Sequence, residues 1–297
     1  MTPSLLTFAQ APASPPFGAL TPHVRHFLRN PAGVAGLTLL LLMILMAIFA
    51  ALLFPGDPLD MVAQPLLRPG QDPQFPLGTD ALGRNLLAGL VHGARISLLT
   101  GFSAVGISLL IGTLVGTTAG YFGGRIDACL LRLTELFQTI PTFLLVIVLV
   151  AIGRPSVALI ALSIGLASWP TIARLVRAEF RSLRESDFVL AARSLGYSDA
   201  RIIFHEILPN ALPPLIVTTS VMVATAILIE SALAFLGLGD PNRVSWGSLI
   251  GAGREMLRTA WYLTAFPGAM IVATVLSLNL VGDALNDALN PRLRGLS

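Results

Sequence analysis

GVAGLTLLLLMILMAIFAALLF, the segment from Gly33 to Phe54, decides the fold class of this chain. It contains no charged residue, and a helix needs roughly 20 apolar residues to cross the hydrocarbon core of a bilayer. The residues before it, Met1 to Pro31, are rich in Pro, Ala and Ser and contain no small-residue cleavage site after a short apolar core. We therefore predict a cytoplasmic tail followed by an uncleaved first span.

Five more segments of the chain are apolar and long enough to span a membrane. They are Ile96 to Ala119, Leu136 to Ile152, Pro155 to Ala173, Ala211 to Leu238 and Trp261 to Gly282. The composition agrees, because 54% of the 297 residues are hydrophobic, 12% are charged, and the mean hydropathy is +0.78. A soluble domain of this length needs more polar surface. We predict an all-α integral membrane protein with six transmembrane helices.

Arginine asymmetry between alternate loops sets the expected orientation. With both termini in the cytoplasm, 12 of the 19 basic residues lie inside, and the outer segment carries four aspartates. We therefore predict an N-in, C-in topology. The predicted regions are an N-terminal tail (1–32), a first span (33–54), a periplasmic segment (55–95), a five-helix core (96–283) with an inner loop (174–210), and a C-terminal tail (284–297).

The sequence lacks the residues that several classes of enzyme require. All 19 basic residues are Arg, so the chain contains neither a Schiff-base lysine nor the lysine of a nucleotide-binding P-loop. Cys129 is the single cysteine, and the four histidines are scattered. The spans contain no nucleophile–base pair, and the arginines form no basic patch with interleaved aromatics. We predict no catalytic residue, no metal site, no cofactor bound by this chain and no nucleic-acid partner.

The inner loop contains the stretch RESDFVLAARSLGYSDARIIFHEILPN, from Arg184 to Asn210. Ser186 or Asp187 can cap a helix, and Gly196 stands where a helix would end in a left-handed residue. Ser198 can cap a second short helix, which we expect Pro209 to stop. The apolar face predicted for the first helix consists of Phe188, Ala191, Ala192 and Leu195. We expect a helix–turn–helix whose two exposed alanines let a partner approach closely.

The spacing Ala191-Ala192, three residues, Gly196, then Leu208-Pro209 resembles the EAA loop of ABC-importer permeases. The wider sequence resembles the peptide and nickel branch of that family, the DppC/OppC-like permeases, from about Asn30 to Arg292. The supporting stretches are PLGTDALGR (76–84), GARIS (93–97), GYFGG (120–124), FLGLG (235–239), SWG (245–247) and DALNPR (287–292). The chain departs from the family pattern at Leu190, where the loop's Glu is usual, at Glu206, where Ile or His is usual, and at Asn85, where Asp is common.

The resemblance implies a type I importer permease of the bacterial inner membrane that forms half of a pathway for di- or oligopeptides. It implies a homologous permease as heterodimer partner, two cytoplasmic ATPases that bind ATP and Mg, and a periplasmic or lipid-anchored substrate-binding protein. It also implies that the loop is the coupling helix that fits a cleft of the ATPase. The residues assigned to that coupling role are Asp187, Phe188, Ala191, Ala192, Leu195, Gly196, Leu208, Pro209 and Asn210.

Polar groups at membrane depth are costly, so each of them is a functional candidate. Glu230 interrupts the fifth span, where it either lines the pathway or packs against a neighbouring helix. Glu135 and Gln138 lie near the start of the third span and either line the pore or anchor an interface. The prolines expected to kink or end helices are Pro141, Pro170, Pro213 and Pro214. The glycines expected to allow close helix contact are Gly101, Gly106, Gly112 and Gly116.

The outer residues Pro76 to Arg95 have leucines at helical spacing. They predict an amphipathic helix on the outer membrane surface, or alternatively a lid packed on the chain's own helices.

Three alternatives to peptide import remain open from the sequence. The same machinery could import nickel complexes or glutathione-like solutes. An ion-driven secondary transporter usually reveals internal repeats, which this sequence lacks. An intramembrane enzyme would need a nucleophile–base pair, which is missing from the spans.

Overall fold

The computed structural model describes residues 20–289, all of whose regular structure is helical. Short isolated bridges join Met61 to Arg84 and Thr79 to Asn85, without forming a strand. The α-helices are α1 (Leu20–Arg29), α2 (Pro31–Ile48), α3 (Ala50–Leu53), α4 (Leu86–Phe122), α5 (Gly124–Gln138), α6 (Thr142–Ile152), α7 (Val157–Arg184), α8 (Asp187–Ser194), α9 (Asp199–Arg201), α10 (Leu208–Phe235), α11 (Trp246–Gly253) and α12 (Tyr262–Leu289). A π-helix (Ile202–Ile207) joins α9 to α10, and a 3₁₀ turn (Arg254–Met256) follows α11.

Among the described residues, five helical segments are long and apolar enough to cross a membrane. The bent pair α5 and α6 makes a sixth if the two helices count as one span, which agrees with the six predicted segments. The predicted tail residues 1–19 and 290–297, including the end of the stretch from Asp287 to Arg292, lie outside the described part of the chain.

The third span is broken at Pro141. Helices α5 and α6 meet at 78°, and α6 has 11 residues, a length of about 16 Å at 1.5 Å per residue. Pro141 has no backbone N–H, and it disfavours helical geometry at Ile140 before it. The prediction of a proline break is confirmed at this position.

The outer leucines between Leu82 and Val91 do not form a separate surface helix. Helix α4 starts at Leu86, capped by the Asn85 side chain, and runs unbroken for 37 residues. Leu86, Leu90 and Val91 are buried within the chain because its outer segment packs over this end of α4. The surface-helix prediction is therefore wrong, and the alternative of packing on the chain's own elements is the observed one.

Helix α4 packs closely along α7 through glycines. A Cβ added at Gly116 would lie 2.5 Å from the Ala173 carbonyl oxygen, and one at Gly112 would lie 2.6 Å from the Ile172 Cβ. A Cβ at Gly106 would meet nothing within 4 Å. Close contact is thus confirmed for Gly112 and Gly116, whereas Gly106 has no close neighbour among the described residues of this chain.

Two buried apolar clusters divide the fold. The larger joins α2, α4, α6, α7, α10, α11 and α12. The smaller joins the inner ends of α4 and α7 to α8, the π-helix and the start of α10. Because α7 continues to Arg184, much of the predicted inner loop is helical, and the inner cluster holds its remaining short helices against the long ones.

Candidate functional site

The inner loop is built around the short helix α8, which ends at a left-handed glycine. Gly196 has φ +78°, its N–H donates to the Arg193 carbonyl at 2.9 Å, and the Tyr197 N–H donates to the Ala192 carbonyl at 3.1 Å. These two bonds satisfy carbonyls that the helix end would leave free. The predicted helix end at Gly196 is confirmed. The second part of the loop then packs against the first, since α8 and the π-helix belong to the same inner cluster.

The second part of the loop runs directly into the fifth span. Ser198 caps it as predicted, with its hydroxyl oxygen accepting from the Arg201 N–H at 3.4 Å. The prediction that Pro209 stops this helix is wrong, because the π-helix leads straight into α10. In the π-helix the Leu208 N–H bonds the Ile203 carbonyl five residues back, so the following proline falls in the first turn of α10, where a missing N–H is tolerated. Asn210 then donates its side-chain amide to the Glu206 carbonyl at 2.6 Å.

Helix α8 has one buried face and one exposed apolar face. Val189 is fully buried and Ala192 is 5% exposed, and both belong to the inner cluster. Phe188 and Leu195 are 40% and 73% exposed, and Ala191 between them is also exposed. The prediction that both alanines are exposed is therefore wrong for Ala192, whose small side chain lets α8 approach the chain's own core. We call Phe188, Ala191 and Leu195 the α8 outer face.

A polar cluster fastens this loop to the inner end of α4. The Tyr121 hydroxyl donates to Asp199 Oδ1 at 2.7 Å, and Arg184 Nη1 donates to the Tyr121 backbone carbonyl at 2.9 Å. The Arg193 guanidinium lies 5.8 Å from the centre of the Tyr121 ring, within cation–π range. We call this cluster the Tyr121 clasp. It links α4, α7, α8 and α9, and the sequence signalled it only through the GYFGG stretch that ends the second span.

A second polar contact joins α5 to α7 on the same side of the fold. The Arg177 guanidinium binds the Asp127 carboxylate through two nitrogens, with Nη2 2.7 Å from Oδ2. Two-point pairs of this kind fix orientation as well as distance. The pair ties the first half of the broken third span to the helix that supports α8.

Glu230 is 2% exposed and lies inside the subunit. Its Oε2 accepts from the Ser97 hydroxyl at 3.2 Å and from the Ser231 hydroxyl at 3.4 Å. Ser97 in turn accepts from the Trp246 N–H at 3.3 Å. The carboxylate thus connects α10 to α4 directly and to the start of α11 through Ser97. These are the contacts expected of a residue that serves packing.

Glu135 and Gln138 are exposed near the end of α5, at the 78° bend, whereas Glu230 is buried on α10. The three residues predicted for the pathway are therefore not gathered into one site.

Comparison with known proteins gives matches along nearly the whole chain. Residues 112–295 match the family described as binding-protein-dependent transport system inner membrane component, and residues 23–70 match the N-terminal TM domain of oligopeptide transport permease C. The di/tripeptide transport system permease protein DppC of Pseudomonas aeruginosa is 38% identical over 294 residues, 96% of this chain and 97% of that protein. The glutathione transport system permease protein GsiD of Pectobacterium atrosepticum is 35% identical over 91% of this chain and 90% of that protein.

A solved structure shares the fold. The inward-facing MetNI methionine ABC transporter aligns with a TM-score of 0.58 at 19% identity, covering 69% of this chain and 98% of that one. At this identity the likeness concerns the fold alone, which is that of an ABC importer permease.

Proposed function

Since the chain belongs to the family of inner membrane components of binding-protein-dependent transport systems, we propose that it forms half of a pathway for di- and oligopeptides. It is a multi-pass protein of the bacterial inner membrane and a permease subunit of an ABC importer. The proposed cargo is supported by the di/tripeptide permease that is 38% identical over almost its full length. The glutathione permease relative supports a second candidate, glutathione-like solutes, which are themselves small peptides.

The α8 outer face is proposed to dock on a cytoplasmic ATPase. Phe188 and Ala191 on α8 and Leu195 at its C-cap form a compact, exposed apolar surface that a soluble loop would not need. Gly196 and the buried pair Val189 and Ala192 hold that surface in a fixed orientation. A docked helix then moves as a rigid body with the ATPase. This exposed face is the single observation that carries the coupling role.

The other residues assigned to the coupling role lie at the start of α8 and at the start of α10. Asp187 begins α8, while Leu208, Pro209 and Asn210 form the first turn of α10 and join the loop to the fifth span. The inner cluster and the Tyr121 clasp connect the same loop to α4 and α7. Motion of α8 would therefore be passed to three spans rather than absorbed in a flexible connection.

The proposed assembly contains two permeases, two ATPases and an external binding protein. The second permease is proposed to be a distinct, homologous chain. ATP and Mg would be bound and used by the ATPases, and this chain would break no bond in its cargo. Glu230 is proposed to serve packing between α10, α4 and α11, while Glu135 and Gln138 at the bend remain proposed pathway contacts.

A pair of leucine substitutions tests the docking surface in the complete complex. Leu195→Asp places a charge on the α8 outer face, whereas Leu190→Asp places it about 140° around the helix, at roughly 100° per residue. Both leucines are exposed, so neither change should unfold the permease. We expect Leu195→Asp to reduce co-purification of the ATPase at least tenfold and Leu190→Asp to leave most of it intact. Equal retention of the ATPase by both variants would contradict the assignment of the outer face.

Transport assays separate this function from gradient-driven uptake. Proteoliposomes containing both permeases, the ATPases and the binding protein should accumulate labelled dialanine only when ATP is supplied to the ATPase side. Uptake by the permeases alone under an ion gradient would favour a secondary transporter.

A further inference from the structure

A cavity of about 320 Å³ lies between α4, α6, α7 and α10. It sits near the middle of the three long helices, which places it at the depth of the membrane core. Its floor is apolar and buried, formed by Val105, Ile164 and Ala226, while Thr171 and Thr225 at its rim are exposed. The hydroxyl-bearing residues of its lining are Ser108, Thr142, Ser168, Thr171, Thr218 and Thr225.

Most of these hydroxyls are not used by the chain itself. Ser108 donates to the Gly165 carbonyl and Thr225 to the Val221 carbonyl, each at 3.0 Å. The hydroxyls of Thr142, Ser168, Thr171 and Thr218 have no hydrogen-bond partner within residues 20–289. Thr219, one residue away on α10, shows the usual arrangement, since it donates to the Leu215 carbonyl at 2.7 Å. Four uncommitted hydroxyls around one cavity at membrane depth indicate a polar occupant, because unpaired polar groups there are unfavourable.

The lining contains no ionisable side chain, and this limits which ligands the cavity can bind. A charged group entering the cavity would lose its hydration without meeting an opposite charge. A neutral ligand with both donors and acceptors would be satisfied, because each hydroxyl can donate one hydrogen bond and accept others. Amide groups meet this requirement.

An extended peptide fits this description better than a helix of the partner permease. The N–H and C=O groups of an extended main chain are free to bond the cavity wall, whereas a transmembrane helix satisfies its own backbone groups. A helix packed against this cavity would offer the four hydroxyls only its side chains, because its backbone groups are paired within the helix. Recognition through main-chain amides would also accept many different side chains.

We propose that this cavity holds the main-chain amides of the translocating peptide, with Thr171 and Thr218 as binding residues. The proposal rests on the proposed function of peptide import. It adds neutral hydroxyls to the pathway contacts proposed for Glu135 and Gln138.

The first test compares valine substitutions in the complete complex reconstituted with both permeases, the ATPases and the binding protein. Thr171→Val and Thr218→Val keep the shape of the side chain and remove the hydroxyl, while Thr219→Val removes a hydroxyl that is committed to its own helix. We expect each of the first two to lower the amount of tetra-alanine transported per ATP hydrolysed by about threefold to tenfold, which corresponds to the loss of one hydrogen bond. The control variant should match the wild type.

The second test asks what fills the cavity. Thr218→Cys in a Cys129→Ala background should react with methyl methanethiosulfonate, a small uncharged reagent, in the assembled complex. Unlabelled tetra-alanine, whose internal amides are separated from its charged ends, should slow that reaction at least threefold when ATP is present. Failure to label in every nucleotide state, or loss of the partner permease from the valine variants, would show that a helix covers the cavity and would overturn the proposal.

The two tests also separate this inference from the function on which it rests. If the wild-type complex transports tetra-alanine and the valine variants transport it equally well, only the cavity proposal is wrong. If the wild-type complex transports no peptide, the proposed function itself is wrong.

Discussion

Replacing Tyr121 with Phe should uncouple ATP hydrolysis from transport without preventing assembly. The substitution keeps the ring in the inner cluster and removes the hydroxyl that donates to Asp199 Oδ1 at 2.7 Å. A hydrogen bond to a charged group contributes about 1.5–3 kcal/mol, and water can replace part of it because Asp199 is exposed. We expect a net loss of about 1.4 kcal/mol in the connection between α9 and α4, which corresponds to about tenfold in an equilibrium.

The assay for this prediction is the number of dialanine molecules transported per ATP in reconstituted complexes. The value for Tyr121→Phe should fall by about threefold to tenfold, while co-purification of the ATPase stays near that of the wild type. Tyr197→Phe is the matched control, because the Tyr197 ring stacks under Arg201 at 3.8 Å but its hydroxyl has no partner in the described part of the chain. Asp199→Asn should have a smaller effect, since its amide oxygen can still accept from Tyr121. An unchanged ratio in Tyr121→Phe, or an equal fall in Tyr197→Phe, would refute the reasoning.

Three glycine substitutions test the helix packing and the loop. Gly116→Ala should destabilise the permease by about 1–3 kcal/mol, because the added Cβ would lie 2.5 Å from the Ala173 carbonyl oxygen. Gly106→Ala should be neutral or slightly stabilising, since nothing lies within 4 Å of the added Cβ. Thermal unfolding of the purified complex measures both variants, and similar midpoints would contradict the close contact at Gly116. Gly196→Ala should weaken the end of α8 by about 1–2 kcal/mol through its φ of +78° alone, since a Cβ there meets no atom within 4 Å. We expect it to reduce transport per ATP severalfold, and normal coupling in that variant would show that the left-handed turn is dispensable.

The sequence predicted features that depend on local chemistry. The apolar segments identified the spans, Pro141 identified the break in the third, and Gly196 identified the end of α8, because each follows from a residue acting on its own neighbourhood. Helix boundaries were less well predicted. Charged residues mark where a span meets water, yet α7 continues as a helix through Arg177 to Arg184.

Features that join distant residues could not be predicted in this way. Tyr121 and Asp199 are 78 positions apart, and no periodicity relates them. The cavity hydroxyls come from four helices, and a threonine that bonds its own helix looks the same in sequence as one that does not. The prediction for Pro209 was wrong for a related reason, since the effect of this proline depends on whether a π-helix precedes it. Ala192 was expected to face a partner, but its burial is decided by tertiary packing.

The same long helices contact α8 and line the cavity, and this arrangement limits which movements of α8 can change the cavity. Helix α7 contacts α8 through Phe180 and lines the cavity with Thr171, nine residues or about 14 Å away along the helix. Helix α10 is continuous with the second half of the loop and lines the opposite wall with Thr218. Because glycine packing locks α4 to α7, these two move as one body in the proposed mechanism. The width of the cavity then depends on α10, which the loop pulls, and on α6, which can move independently of α5 because of the break at Pro141.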